Sequence, residues 1–167
     1  MEVQEKRFVF LIDDEPIQNE MLKDFLADRF LSHIKTFDNG EEAMKEMHLG
    51  PEIIILDYHL NAHDKSAKNG VEVLKMIKDN YPKVEVIMLS GQDKIEVAVE
   101  SMKYGAYDYV LKGETAFSRI ENIMNNISEL HKYKSINNAY KRTIVYLSIG
   151  LSIFIAATLW FMFYRPM

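Results

Sequence analysis

Residues 8–14 read Phe-Val-Phe-Leu-Ile-Asp-Asp, five apolar residues that run into two carboxylates. Three further stretches repeat the pattern. Residues 53–56 are all apolar and run into Asp57, residues 86–89 into Ser90, and residues 109–111 into Lys112. Short apolar runs of this kind read as strands buried on both faces, as in a parallel sheet. In an open parallel α/β sheet the ligand crevice lies at the carboxyl ends of the strands. The pattern therefore predicts that Asp13, Asp14, Asp57, Ser90 and Lys112 gather in one cleft.

Working outward, helical periodicity fills the intervals between these runs. Pro16 suits a first helical turn, with one of Asp13 and Asp14 as its N-cap. Ile17, Met21, Leu22, Phe25 and Leu26 follow at helical spacing. A short strand at 34–37 precedes the turn signal Asn39-Gly40, and Ala43, Met44 and Met47 share a face of a second helix. Gly70 opens a third helix with Val71, Val73, Leu74 and Ile77 on its apolar side, and Tyr81-Pro82 ends it. A fourth helix spans 95–104 and a fifth starts near Thr115. Strand and helix alternate five times, and right-handed crossovers of that kind give a doubly wound parallel sheet.

Chemistry follows from the residue types at the strand ends. A carboxylate at Asp57 can attack phosphorus and form an acyl phosphate. Three carboxylates in one cleft repel one another unless a cation joins them, and oxygen-only ligands suit Mg2+. Ser90 can donate a hydrogen bond to a phosphoryl oxygen, and Lys112 brings a point positive charge. Each residue alone has an ordinary explanation: a polar strand end, a turn serine, a surface lysine. Four strand ends that each carry the needed type are hard to reach by chance.

These residues resemble a response-regulator receiver domain of bacterial two-component systems, over about residues 7–126. The match is carried by Asp13-Asp14, Asp57, Ser90 and Lys112, with Gly105-Ala106-Tyr107-Asp108-Tyr109-Val110-Leu111 leading into the lysine. The resemblance implies a flavodoxin-like five-stranded sheet of order 2-1-3-4-5. It implies Asp57 as phosphoacceptor, a histidine kinase or phosphotransfer protein as donor, and a place in a phosphorelay. It implies Mg2+ held by Asp13, Asp14, Asp57 and the backbone carbonyl of His59. Ser90 and Lys112 would hold the phosphoryl group, with Ser90 and Tyr109 as switch residues. No enzyme activity is implied beyond self-catalysed phosphotransfer and dephosphorylation. Three features depart from the family: a longer loop at 58–69 without proline, Gly113 where a cis proline is usual, and serine at 90 for the commoner threonine. His59 and His63 in that loop lack a third nearby ligand and make no metal site.

Past Leu130 the helical pattern thins, and Asn137-Asn138 weakens it further. Residues 144–164 then carry no Asp, Glu, Lys or Arg. At ~1.5 Å per residue they reach roughly 30 Å, the thickness of a bilayer's hydrocarbon core. Tyr140 and Tyr146 flank one end, and Trp160, Phe163 and Tyr164 the other, as aromatic belts do. Lys132, Lys134, Lys141 and Arg142 precede the span and Arg165 follows it. The positive-inside rule then predicts a single-pass protein of the inner (cytoplasmic) membrane with its receiver facing the cytoplasm. The expected organisation is a receiver domain at 1–126, a juxtamembrane helical linker at 127–142, a transmembrane helix at 143–164 and a short tail at 165–167. Ser148, Ser152 and Ala156 recur every fourth residue, a stripe compatible with a homodimer.

Composition excludes other classes. The formal net charge of -5 argues against nucleic-acid binding. With no cysteines there is no disulfide, thiolate site or cysteine nucleophile. The first seven residues lead into only a short apolar stretch, which predicts no secretory signal peptide. Output is expected through protein contacts, the membrane or phosphate removal from another carrier. Two alternatives from other classes are a phosphorylation-independent adaptor at the membrane and an aspartyl-phosphate phosphatase. The phosphatase would want an aspartate where His59 stands.

Overall fold

A computed structural model describes residues 7–60, 68–91 and 94–164. Residues 61–67 of the long loop, with His63, lie outside the described residues, as do Arg165 and the rest of the predicted tail. Strands β1 (Phe8–Ile12), β2 (His33–Phe37), β3 (Pro51–Asp57), β4 (Glu85–Ser90) and β5 (Asp108–Leu111) form one sheet. Its order is β2-β1-β3-β4-β5 and every pairing is parallel. Helices α1 (Pro16–Ala27), α2 (Gly40–Lys45), α3 (Gly70–Asn80) and α4 (Ile95–Lys103) connect successive strands. The fifth, α5, runs Ala116–Tyr164. The sheet order and the strand-helix alternation are as expected.

The all-apolar central strands form the core because both of their faces are covered. Phe10, Ile54, Leu56, Val86, Ile87 and Met88 are inaccessible to solvent. Val71, Val73, Leu74 and Ile77 of α3 pack into the same core as Phe10 and Ile54. The N-terminus of α3 is fixed by reciprocal bonds. Asn69 Oδ1 accepts from Glu72 N at 3.0 Å, and Glu72 Oε2 accepts from Asn69 N at 2.9 Å. This capping box satisfies two of the helix's orphan donors.

Two details differ from the sequence reading. The N-cap of α1 is Glu15, without a side-chain bond, rather than Asp13 or Asp14. Asp13 Oδ1 instead accepts from Glu15 N at 2.9 Å, a turn that leaves its second oxygen for the cleft. Ile17 and Met21 are exposed, while Asn19, Leu22 and Leu26 are buried. The buried stripe of α1 is thus 19-22-26. Helix α5 continues through Asn137-Asn138 without interruption. Asparagine costs well under about 1 kcal/mol in a helix interior, so a pair does not stop a helix already propagating.

The described residues fall into two compact units that divide between Asn125 and Asn126. The second unit is the distal part of α5. Helix α5 is the one helix, among the described residues, long and apolar enough to cross a membrane. Its apolar side chains are exposed throughout 144–164.

Candidate functional site

Parallel register carries the predicted residues to one edge of the sheet. Ile12 pairs with Leu56, so Asp13 ends β1 level with Asp57 at the end of β3. Asp57 pairs with Leu89, which places Ser90 one residue further along β4. Ser90 pairs with Leu111, and Lys112 follows. Lys112 N donates to Ser90 O at 2.7 Å and Tyr58 N to Leu89 O at 3.0 Å, which ties the loops leaving β3 and β5 to the end of β4.

Lys112 closes the cleft electrostatically. Its Nζ donates to Asp13 Oδ2 at 2.8 Å and forms an ion pair with Asp57 Oδ1 at 3.1 Å. The second contact is not aligned as a hydrogen bond, and Oδ1 of Asp57 is buried without one. Asp57 Oδ2 accepts from His59 N at 3.0 Å. Asp57 is 2 % exposed and Asp13 5 %. Burial raises the Asp57 carboxyl above the ordinary carboxylate range, and the charge of Asp13 adds to this against Lys112 and the His59 N–H. Burial works against the Lys112 ammonium, yet its bond to Asp13 and the charges of both carboxylates hold it above its ordinary value.

Asp13, Asp14 and Asp57 each offer an oxygen within 4.8 Å of the others. Asp14 Oδ2, like Asp57 Oδ1, is buried without a hydrogen-bond partner. Buried carboxylate oxygens without donors are costly, and a hard divalent cation satisfies such an oxygen-only set. One ammonium does not neutralise three carboxylates. The donor set therefore fits Mg2+. Beside Lys112 lies a groove of about 320 Å3, lined by Gln18, Met21, Leu89, Gly113, Glu114 and Phe117.

Gly70 brings α3 against this edge. Its N donates to Tyr58 O at 2.9 Å, and a Cβ there would stand 2.2 Å from Asp57 O. The sequence reading used Gly70 only as a helix start and overlooked both this approach and the capping box. The spacing Asn69-x-x-Glu72 carried the signal for the latter. Asn19 was overlooked as well; its Nδ2 donates to Asp13 O at 2.8 Å. Tyr109 is half-buried against the core, and Ser90 is fully buried.

A family model described as the response regulator receiver domain matches residues 9–125. The chain belongs to the response-regulator receiver family. Among curated relatives, the nitrogen assimilation regulatory protein NtrX of Azorhizobium caulinodans is 35% identical over 105 residues, 62% of this chain and 22% of that protein. The transcriptional regulatory protein LnrK of Bacillus subtilis is 32% identical over 118 residues, 70% of this chain and 51% of that protein. The chain thus matches between about a fifth and about half of these relatives' length. Among solved structures, the receiver domain of NtrX from Brucella abortus superposes with a TM-score of 0.64 at 26% identity, covering 72% of this chain and 98% of that one. A Burkholderia pseudomallei response regulator, solved with a phosphorylated aspartic acid, calcium ion and citrate, gives 0.62 at 25% identity, covering 80% and 75%. This receiver is therefore a signalling domain of two-component type, and its acidic cluster is of the kind that holds Mg2+ in receivers.

Proposed function

We propose that the receiver accepts a phosphoryl group on Asp57 from a phosphohistidine of a kinase or phosphotransfer protein, while residues 143–164 anchor it in the cytoplasmic membrane. The observation that carries the first part is the Asp57 carboxylate itself. It is buried at a strand end with Oδ1 free of hydrogen bonds and an ammonium 3.1 Å away.

In the transfer step, one Asp57 oxygen forms a bond to phosphorus as the phosphorus–nitrogen bond of the donor breaks. The bond's electron pair leaves with the imidazole. His59 N holds the other oxygen, Oδ2, and so orients the carboxylate. Lys112 neutralises charge on the incoming phosphoryl oxygens, and Ser90 donates its hydroxyl to them. Asp13, Asp14, Asp57 and the His59 carbonyl would hold Mg2+, which when bound screens the carboxylates from the phosphoryl charge. Water later breaks the acyl phosphate and restores the carboxylate. Ser90 and Tyr109 are the elements we assign to the switch, since both sit on strands next to the site and bias the surface of α4 and β5.

The anchor reading rests on the exposed, uncharged face of α5 over 144–164. The receiver occupies 1–126, the linker 127–142, and the basic residues Lys132, Lys134, Lys141 and Arg142 keep the receiver on the cytoplasmic side. Confinement beside a membrane kinase raises the effective concentration of acceptor. The test uses the 167-residue chain in detergent micelles with Mg2+ and acetyl phosphate. Intact mass should show one phosphoryl increment on the wild type and none on Asp57→Asn. An increment on both, or on neither while the chain is folded, refutes Asp57 as acceptor, and the second result favours the phosphorylation-independent adaptor.

A further inference from the structure

Asn19 is 4 % exposed in a helix whose other buried side chains are leucines. A buried amide must find partners, and Asn19 finds them at two different strand ends. Its Nδ2 donates to Asp13 O at 2.8 Å and to Phe37 O at 3.2 Å. Asp13 N donates to the same Phe37 carbonyl at 3.1 Å. Asn19 N donates to Glu15 O at 3.2 Å, which completes the first turn of α1. One side chain therefore locks the end of β1, the end of β2 and the start of α1 together.

Asp13 is consequently held at three points: its N–H by Phe37, its carbonyl by Asn19 and its Oδ1 by Glu15. The peptide from Asp13 to Asp14 has little freedom left, and that peptide aims both carboxylates. We propose that Asn19 is a positioning residue for the acidic cluster: its amide fixes the Asp13-Asp14 backbone so that their oxygens converge with Asp57 on a divalent cation. The proposal rests on the reading that this cluster binds Mg2+. Groups that orient metal ligands without touching the ion typically govern affinity by 10–100-fold. A purely structural Asn19 would affect stability alone.

The test is Mn2+ binding by the 167-residue chain in detergent, followed by electron paramagnetic resonance, with Mg2+ as competitor. Asn19→Leu keeps the volume and removes both donors. It should weaken Mn2+ binding by roughly tenfold or more. Leu26→Ala is the control, since Leu26 is fully buried on the same helix, seven residues past Asn19 and near its C-terminal end. It should lose stability while keeping wild-type affinity. Equal affinity in wild type and Asn19→Leu overturns the proposal, as does an equal loss in Leu26→Ala. If Asn19→Leu does not fold by circular dichroism, Asn19→Ser is read in its place. A serine retains a donor but cannot bridge both carbonyls, so wild-type affinity there overturns the proposal too. A wild-type chain that binds no Mn2+ or Mg2+ refutes the metal reading, and this inference falls with it; that result is distinct from metal bound equally by both chains.

Discussion

Lys112→Met removes the ammonium that bridges Asp13 and Asp57. At an effective dielectric of about 20, contacts of 2.8 and 3.1 Å are each worth about 5–6 kcal/mol before desolvation. Desolvation of the ammonium cancels much of this. Removing one partner of a buried pair costs about 3–5 kcal/mol, because the remaining charge is stranded. The Lys112 side chain is 19% exposed, against 7% for Asp13 and 2% for Asp57, so the low end of that range applies, about 3 kcal/mol. For a cooperative unit of roughly 120 residues this lowers the melting temperature by about 12 °C. The assay is scanning calorimetry of the full chain in detergent at pH 7.5 with EDTA. Two signs can be checked alongside. The stranded Asp57 carboxyl is raised in the fold, so its charging destabilises above its folded pKa and the penalty disappears below its unfolded pKa near about 3.9. The gap between variant and wild type should therefore close as pH falls towards that value. Mg2+ should also raise the melting point of Lys112→Met more than that of wild type, since it meets no competing ammonium. A variant that melts within about 2 °C of wild type in EDTA would refute the claim that Lys112 neutralises this cluster.

Asp57→Asn should abolish phosphoryl uptake yet raise the melting temperature at neutral pH in EDTA, because a carboxyl raised by burial destabilises the fold when charged. The gain should vanish below about pH 4, where the unfolded wild-type carboxyl is itself protonated; a gain independent of pH would contradict the assignment. Gly70→Ala places a Cβ 2.2 Å from Asp57 O and 2.7 Å from Tyr58 Cα, both backbone atoms. It should cost about 2–3 kcal/mol by chemical denaturation and slow phosphoryl uptake. Gly91→Ala meets open space and should leave stability within about 0.5 kcal/mol. Deleting residues 143–167 should release the chain from sedimented membranes and slow phosphotransfer in cells. Uptake from acetyl phosphate in solution should stay unchanged, and unaltered transfer in cells would count against the tether.

The acidic cluster was legible in the sequence because strand ends are the most regular feature of a parallel sheet. An apolar run that stops at Asp57 or Ser90 announces both the strand and its exit. Helix α1 was read less well, for a geometric reason. Ile17, Met21 and Phe25 form one stripe at helical spacing, and Asn19, Leu22 and Leu26 form another nearly opposite. Choosing between them requires the angle at which the helix leaves β1, which the sequence does not display. Hydrophobicity placed the exposed Ile17 and Met21 beside the buried Leu22 and Leu26, and passed over Asn19 because it is polar. Its hydrogen-bond partners, Asp13 O and Phe37 O, are backbone atoms that sequence does not display. The same blindness concealed Gly70, whose value is the absence of a Cβ beside Asp57 O. In α5, Asn137-Asn138 lowers the helical signal, yet propagation from flanking turns outweighs so small a penalty.

The contacts that make Lys112 stabilising also oppose the cation. Lys112 holds Asp13 Oδ2 and lies 3.1 Å from Asp57 Oδ1, in two of the three carboxylates that would hold a divalent ion, so a bound ion would compete with the ammonium for their charge. Binding linkage is reciprocal: the factor by which the ammonium weakens cation binding equals the factor by which the cation weakens the ammonium's hold. A loosened Lys112 is what an incoming phosphoryl group needs, since its oxygens require a counter-charge that is not already committed to Asp13. On the proposed reading, cation binding would prepare the site twice, by relieving repulsion among three carboxylates and by freeing the lysine. The reciprocity makes this quantitative. If Lys112→Met binds Mn2+ tenfold more tightly than wild type, the extra stabilisation at saturating Mn2+ must equal about 1.4 kcal/mol. Calorimetry and titration measure the two sides separately. A disagreement well beyond their errors would mean that Mn2+ also binds the unfolded chain or that unfolding is not two-state.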